Sequence, residues 1–388
     1  MSQMINYEQI FARDVFCILG LPFDAVSLSA AAHRISDSVT RKEKLFLSTP
    51  NLNWLRIATT NAEFRTSALL SDLSIADGMP VVWIARMLSV PIRQRVSGSD
   101  LIDELSRKSP MNVFFFGGEK NHAEVAVNRL NDLGLPMRAV GGVNPGHGNI
   151  DDMSSANTLE SINAQAPDFV VVSLGAAKGQ AWIVRNRQSL NASLISHLGA
   201  VVNFFAGSVR RAPKAMQHLG LEWAWRILQE PRLASRYFDD AFFLAKQLLC
   251  RVLPHKLLQL QTARRRRRVV AEPTLSMFET PTSITLAGNF GAANIEKIRA
   301  AFAQAMQADL PIVIDMQHCD YFDASFAGAL MLLKKCCIEA GRPLSIVGAG
   351  RNVRRLFYCL NAEYLLSDDS AKREEQILSI QGSEVRAC

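Results

Sequence analysis

The sequence has no run of about 18 consecutive apolar residues, so no segment is long enough to cross a bilayer as a helix. It has no C-x-x-C pair, and its seven cysteines, at 17, 250, 319, 336, 337, 359 and 388, form no disulfide framework. The opening MSQMINYEQIFARD mixes charges into its apolar residues, so no secretory leader is expected and a reducing cytosol is. The histidines at 33, 122, 147, 197, 218, 255 and 318 are dispersed without an H-x-x-x-H, which gives no metal-site spacing. There is no D-x-D, the short acidic pair that would hold a divalent ion against a diphosphate. G-x-S-x-G, G-x-x-x-x-G-K-[ST] and G-x-G-x-x-G are missing too, which sets aside the common hydrolase, P-loop and dinucleotide readings.

What is present is a globular composition, 388 residues with 48% hydrophobic and 20% charged, long enough for two cores. Over the first two thirds, apolar strand patterns at 15–20, 46–50, 113–118, 137–142, 169–175 and 194–207 alternate with helical patterns at 24–38, 51–66, 79–89, 120–134 and 177–189. That alternation predicts an α/β domain, a Rossmann-like parallel sheet with helices on both faces. Gly118, Gly142 and Gly175 close three of the strand patterns. Ligands of such sheets sit beyond the carboxyl ends of the strands, where a glycine lets backbone approach a phosphate, so Gly118 and Gly175 are candidate binding positions. As ordinary strand-to-helix turns they would read the same.

A second pattern begins after QTARRRRRVVAEPTLS, which is too charged to be core. Strand patterns at 284–288, 311–317 and 343–349 alternate with helical patterns at 291–307, 324–340 and 351–361, predicting a smaller C-terminal α/β domain. The spans expected are a first domain over 1–237 with an appendage from about 215, a basic amphipathic segment over 238–277, and the second domain over 278–388. The net charge of +7 is concentrated: residues 208–268 hold 14 Lys and Arg against 4 Asp and Glu, so the remainder is net acidic. Phe238, Phe242, Leu248, Leu249, Val252, Leu253, Leu257 and Leu258, with Lys246, Arg251 and Lys256 interleaved and five arginines following, suit the anionic cytoplasmic face of a membrane. A helix packed on its own domain is the other reading. Nucleic acid is not an expected partner, because no aromatic platform or helix-turn-helix accompanies the arginines.

In ADGMPVVW, residues 76–83, Asp77 lies beside an apolar run, where a carboxylate is solvated, paired, a helix N-cap or used in chemistry. It belongs to a wider set: TPN (49–51), RVSGSDL (95–101), LGAAKGQAW (174–182), RRAP (210–213), LEWAWR (221–226) and EPRLASRY (230–237). In this order and spacing the set resembles the WecB/TagA/CpsF glycosyltransferase family over roughly residues 15–240. The resemblance implies a transferase at the inner face of the cell membrane, moving a sugar from a UDP-sugar onto a polyprenyl-diphosphate-linked sugar during surface polysaccharide synthesis. It implies Asp77 as general base, with Thr49 and Asn51 lining the same pocket. A single base without a covalent nucleophile predicts inversion at the anomeric carbon. No cofactor is expected, because in place of a metal ion arginines would neutralise the leaving diphosphate. Arg95 and Arg211 are the candidates within the domain, and Arg226, Arg232 and Arg236 those from the appendage; a solvated helical face is the alternative for each. The family reads G-A-P-K-Q-E-x-W where this chain has Gly175-Ala176-Ala177-Lys178-Gly179-Gln180-Ala181-Trp182, so Gln180 stands as a substrate contact of altered kind and the sugar identity is open.

VIDMQHCDYFDASFAGALMLL, residues 313–333, resembles a STAS domain. The position phosphorylated in regulatory members is Ala324 here, which leaves Ser325 as the nearest hydroxyl. The resemblance implies a docking or regulatory module with an unidentified protein partner; homo-oligomer formation stays open. A second function class, a regulator with a catalytically reduced first domain, draws on the departure at Gly179.

Overall fold

The structure, a computed structural model, describes residues 6–119, 121–199, 201–207, 212–213, 215–216, 220–266, 274–279 and 282–366, with backbone alone for 263–266 and 274–279. The chain forms two compact units, one of Val26–Trp83 with Ile92–Leu244, the other of Met1–Ala25 with Ile84–Pro91 and Ala245–Cys388. In chain order the strands are β1 (Val15–Ile18), β2 (Leu21–Asp24), β3 (Leu45–Ser48), β4 (Leu73–Ser74), β5 (Asn112–Gly117), β6 (Arg138–Val143), β7 (Phe169–Ser173), β8 (Leu194–His197), β9 (Thr274–Glu279), β10 (Thr282–Phe290), β11 (Ile312–Phe322) and β12 (Leu344–Val347).

The first unit is built on a six-stranded parallel sheet in the order β4-β3-β8-β7-β5-β6. Its central strands read as continuous apolar runs, NVFFFG and FVVVS, because helices cover both faces. Val113, Phe115, Phe169, Val171 and Leu194 join the buried core with Ile35, Leu101 and Leu130 from the helices. The expected helix over 51–66 is two helices, Leu52–Thr60 and Ala62–Leu69. Asn61 ends the first and caps the second, its Oδ1 accepting from the Phe64 N–H at 2.9 Å. The helices Gly98–Lys108 and Ala156–Ala164 and the two-residue β4 were not anticipated. The first of these opens on Ser-Gly-Ser-Asp, which reads as loop until Ser97 is recognised as its N-cap, accepting from the Asp100 N–H at 3.1 Å.

In the second unit the 15–20 stretch, expected as a strand of the parallel sheet, is instead β1 of an antiparallel hairpin with β2. Leu19 and Gly20 turn it with positive φ of 45° and 87°, the two left-handed residues of a tight hairpin. Leu-Gly does not advertise such a turn as Asn-Gly would. The hairpin lies on the C-terminal domain, whose mixed sheet runs β12-β11-β10-β9 with only the β9–β10 pairing antiparallel. Asn361 Nδ2 donates to Leu19 O and Tyr364 Oη to Gly20 O, each at 3.1 Å, and Arg299 pairs with Asp14 at 2.9 Å. Phe11 meets Phe302 edge-on with ring centroids 6.0 Å apart. The buried Arg13–Asp24 pair, at 2.8 Å, joins the two ends of the hairpin segment.

The Ala324–Glu339 helix is consequently buried along its length from Ala324 to Ile338. A helix apolar on every side needs cover on every side, and the N-terminal hairpin supplies one of them. Ser325 does not stand open to modification: it is 3% exposed, and its Oγ donates to Asp323 Oδ1 at 2.6 Å.

The basic segment read as membrane-facing or packed turns out, within this unit, to be partly packed. A π-helical turn, Leu248–Val252, precedes the helix Leu253–Arg266 at Pro254, which has no N–H to continue the α ladder. Arg251 donates to Glu363 Oε1 at 2.9 Å and lies 4.1 Å from the Tyr358 ring centroid, while Lys256 donates to Ser89 Oγ at 2.8 Å. Leu249, Leu253, Leu257 and Leu260 stay exposed.

On this helix His255 has no exposed surface, and neither ring nitrogen has a partner among the described residues. Burial pushes its pKa down to about 4, with Asp323 pulling up and Lys256 pushing down. The unfolded chain takes up this proton near the ordinary 6.5, the folded protein only near 4. The stability contributed by the neutral ring is therefore complete above pH 6.5 and is lost as the pH falls towards 4. Denaturant titrations of wild type and His255→Gln at a series of pH values should diverge, wild type losing about 3 kcal/mol more over that window. Parallel curves would contradict this.

Candidate active site

Three segments of the first unit converge at the carboxyl ends of β3 and β4. After β3 the chain runs Thr49-Pro50-Asn51, and after β4 it runs to Asp77-Gly78. The Asp77 N–H donates to Pro50 O at 3.1 Å, and the Ile75 N–H to Ser48 O at 3.0 Å, which fixes the two loops side by side. Asn51 caps the Leu52–Thr60 helix, its Oδ1 accepting from the Trp54 N–H at 3.2 Å. Gly78 has a φ of +117°, and a Cβ placed there would stand 4.0 Å from the Asn51 Cβ. Gly98 brings the third segment in: its Cβ would stand 3.7 Å from Thr49 Cγ2, with Leu198 filling the space at 2.6 Å. Thr49, Asn51, Asp77 and the 95–100 segment are thus brought together.

Asp77 is partly buried. Burial pushes its carboxyl up to about 7, Arg95 pulls it down, Glu222 and Asp100 push it up, and Arg226 pulls it down. A carboxylate poised near neutrality can take a proton from an alcohol at neutral pH. Arg95 is largely enclosed between two acids, donating to Asp100 Oδ2 at 2.8 Å and to Glu222 Oε2. Asp100 is itself held by Ser97, whose Oγ donates to Asp100 Oδ2 at 2.6 Å. Ser97, Asp100 and Glu222 were missed in the sequence. The available signals were the Ser97-Gly98-Ser99-Asp100 cap and the four-residue spacing of Glu222 and Arg226 on one helix face.

Of the remaining candidates Arg226 acts on Asp77 through its charge, and the others are dispersed. Gly118 follows β5, three strands from β3 and so about 14 Å along the sheet edge; its φ is +96° and its N–H donates to Ser173 O at 2.8 Å. Gly175 caps the Ala176–Asn186 helix, with nothing within 4 Å of the place a Cβ would take. Gln180 has no exposed surface, and neither amide atom has a partner among the described residues, so in this arrangement it faces protein and not an open cleft. Arg211 lies outside the described residues. Arg226 lies 5.8 Å over the Phe204 ring and near Glu230, while Arg232 is exposed and pairs with Glu119 and Glu230 at 3.1 and 3.4 Å. Arg236 stacks on Tyr237 at 5.0 Å.

The departure at Gly179 has a packing explanation. A Cβ there would stand 2.2 Å from His197 Cδ2, so the imidazole takes the volume a side chain at 179 would need. His197 ends β8 and is buried, its pKa lowered by burial, and its Nε2 lies 2.6 Å from Leu174 O. A carbonyl only accepts, so Nε2 carries the proton and Nδ1 is an acceptor. Among the described residues no group of three or more His, Cys, Asp or Glu side chains could hold a metal ion, and no helix is long and apolar enough to cross a membrane.

Residues 275–367 match the family described as Mlab, STAS domain. The N-acetylglucosaminyldiphosphoundecaprenol N-acetyl-beta-D-mannosaminyltransferases of Staphylococcus aureus strains MW2, NCTC 8325 / PS 47 and MRSA252 are each 25% identical over 234 residues, 59% of this chain and 90% of each relative. Residues 16–257 match the family described as Glycosyl transferase WecG/TagA/CpsF. With the sheet, the acid at its carboxyl edge and this match over more than half its length, the chain belongs to the WecG/TagA/CpsF glycosyltransferase family and carries a STAS domain after it.

Proposed function

We propose that the protein transfers a sugar from a UDP-sugar to a polyprenyl-diphosphate-linked sugar, with inversion and without a metal cofactor, at the inner face of the membrane. The observation that carries this reading is Asp77, partly buried beside Thr49 and Asn51, its pKa lifted to about 7, with Arg95 and Arg226 in its field. The carboxylate takes the proton of the acceptor hydroxyl as that oxygen bonds to the anomeric carbon. The bond from that carbon to the UDP oxygen breaks with its electron pair, and guanidinium groups stabilise the diphosphate that leaves. Attack opposite the leaving group inverts the centre.

A polyprenyl-linked acceptor keeps the reaction at a lipid surface. Trp223, Leu228, Phe238 and Phe242 of the first unit are exposed apolar side chains suited to that surface, beside the excess of cations in 208–268. The relatives' names point to N-acetylglucosaminyl-diphosphoundecaprenol as the acceptor to try first. The test is incubation of purified protein with that acceptor and a panel of UDP-sugars, with the product read by mass. A lipid product enlarged by one sugar supports the reading, and no product with any donor contradicts it. The departure at Gly179, on which the regulator alternative draws, also has a packing reading, because the His197 ring fills the space beside it.

A further inference from the structure

Arg95 is the cation nearest in influence to Asp77, and it is not free for a substrate. Its two carboxylate partners differ in kind. Asp100 is fixed in the first turn of the Gly98–Lys108 helix by its hydrogen bonds with Ser97. Glu222 arrives from the Glu222–Gln229 helix, in which no residue is buried. That helix starts just past Gly220, which has a φ of +72° and at which a Cβ would stand 3.1 Å from Met79 Cγ. One turn on from Glu222, Arg226 has a buried Nε with no partner among the described residues. The site thus holds three acids, Asp77, Asp100 and Glu222, against the guanidinium groups of Arg95 and Arg226. A diphosphate arriving with Glu222 in place would meet an excess of like charge.

We propose that Glu222 occupies, in the substrate-free protein, the face of Arg95 that a substrate diphosphate takes, so that diphosphate binding displaces Glu222 and moves its helix. This rests on the transferase reading and adds to it a gating residue. Asp100 keeps the guanidinium oriented through the exchange, and Arg226, on the same helix as Glu222, lies one turn from the displaced acid. Two esters share the recognised chemistry, the nucleotide donor and the lipid-linked acceptor. An arm with UDP and an arm with geranyl diphosphate tell them apart.

Calorimetric titration of wild type, Glu222→Gln and Glu222→Asp with each ligand reads the exchange. Glu222→Gln should bind the diphosphate that uses Arg95 roughly fivefold more tightly, because a competing ion pair of that order is gone. Glu222→Asp keeps the charge and should lie near wild type. If Glu222 were a strut for Arg95, Glu222→Gln would bind more weakly. In kcat/KM against pH, Glu222→Gln should also move the acidic limb to lower pH, since a negative neighbour of Asp77 has been removed. Equal or weaker binding of both ligands by Glu222→Gln, with wild type still binding, overturns the exchange alone. Failure of wild type and variants to bind either ligand overturns the transferase reading and the exchange with it.

Discussion

Asp77→Asn should lower kcat by about 10³-fold while leaving the fold intact, the scale lost when a positioned general base is removed. Asparagine has nearly the same shape and cannot accept the acceptor's proton. The donor should bind no more weakly than to wild type, because the variant loses a negative charge beside an anion site. Stability separates chemistry from folding. The folded pKa of Asp77 is raised above its unfolded value, so its contribution is present at low pH and is lost as pH rises through about 7. Above that pH the carboxylate opposes folding, and Asp77→Asn should unfold no earlier than wild type at about pH 8. A slow variant that also melts early would mean that the residue is structural. A rate within threefold of wild type would remove the base from the account.

The second large effect is expected in the other unit, at Gly328. A Cβ there would stand 2.0 Å from Val15 O, 2.5 Å from Val15 C and 2.8 Å from Phe16 Cα. All three are backbone atoms of the N-terminal hairpin and cannot swing aside. Gly328→Val should destabilise the protein by about 3 kcal/mol or more, at or above the usual range for overpacking. Amide exchange should locate the loss in Val15–Asp24. Gly350→Ala, where nothing lies within 4 Å of the added Cβ, should cost less than about 1 kcal/mol. Retained protection of the hairpin in Gly328→Val would contradict this packing. The same contact alters the expected role of the STAS domain. Its Ala324–Glu339 helix is covered by the chain's own hairpin, so a partner recruited through that face would have to displace residues 15–24.

The fold was legible wherever burial imposes a period on the sequence. NVFFFG and FVVVS read as buried parallel strands because helices cover them on both faces, and the C-terminal alternation of strands and helices held for the same reason, whereas of the 194–207 pattern only Leu194–His197 is a strand and Val201–Phe205 is a helix. The VFCILG stretch looks like one more such strand, and only tertiary context shows that it pairs with LPFD and lies on the C-terminal domain, where Asn361 meets Leu19 across 342 residues of chain. In the site, Asp77, Thr49 and Asn51 were legible as motif residues, and the structure places them side by side. Glu222 was not, because an acid on an exposed helix face looks solvated until its partner Arg95 is seen. Gln180 was read as a contact from its motif position, yet its side chain is enclosed, and the volume beside it at position 179 is taken by a ring from β8 that no local pattern announces.

The pH dependence of kcat/KM with a saturating lipid acceptor bears most directly on Asp77 as the base. Wild type should lose rate tenfold per pH unit below about pH 7, following protonation of one group, and Asp77→Asn should show no such limb at its much lower rate. A wild-type profile that is level from roughly pH 5.5 to 8, or the same limb retained in Asp77→Asn, would contradict it.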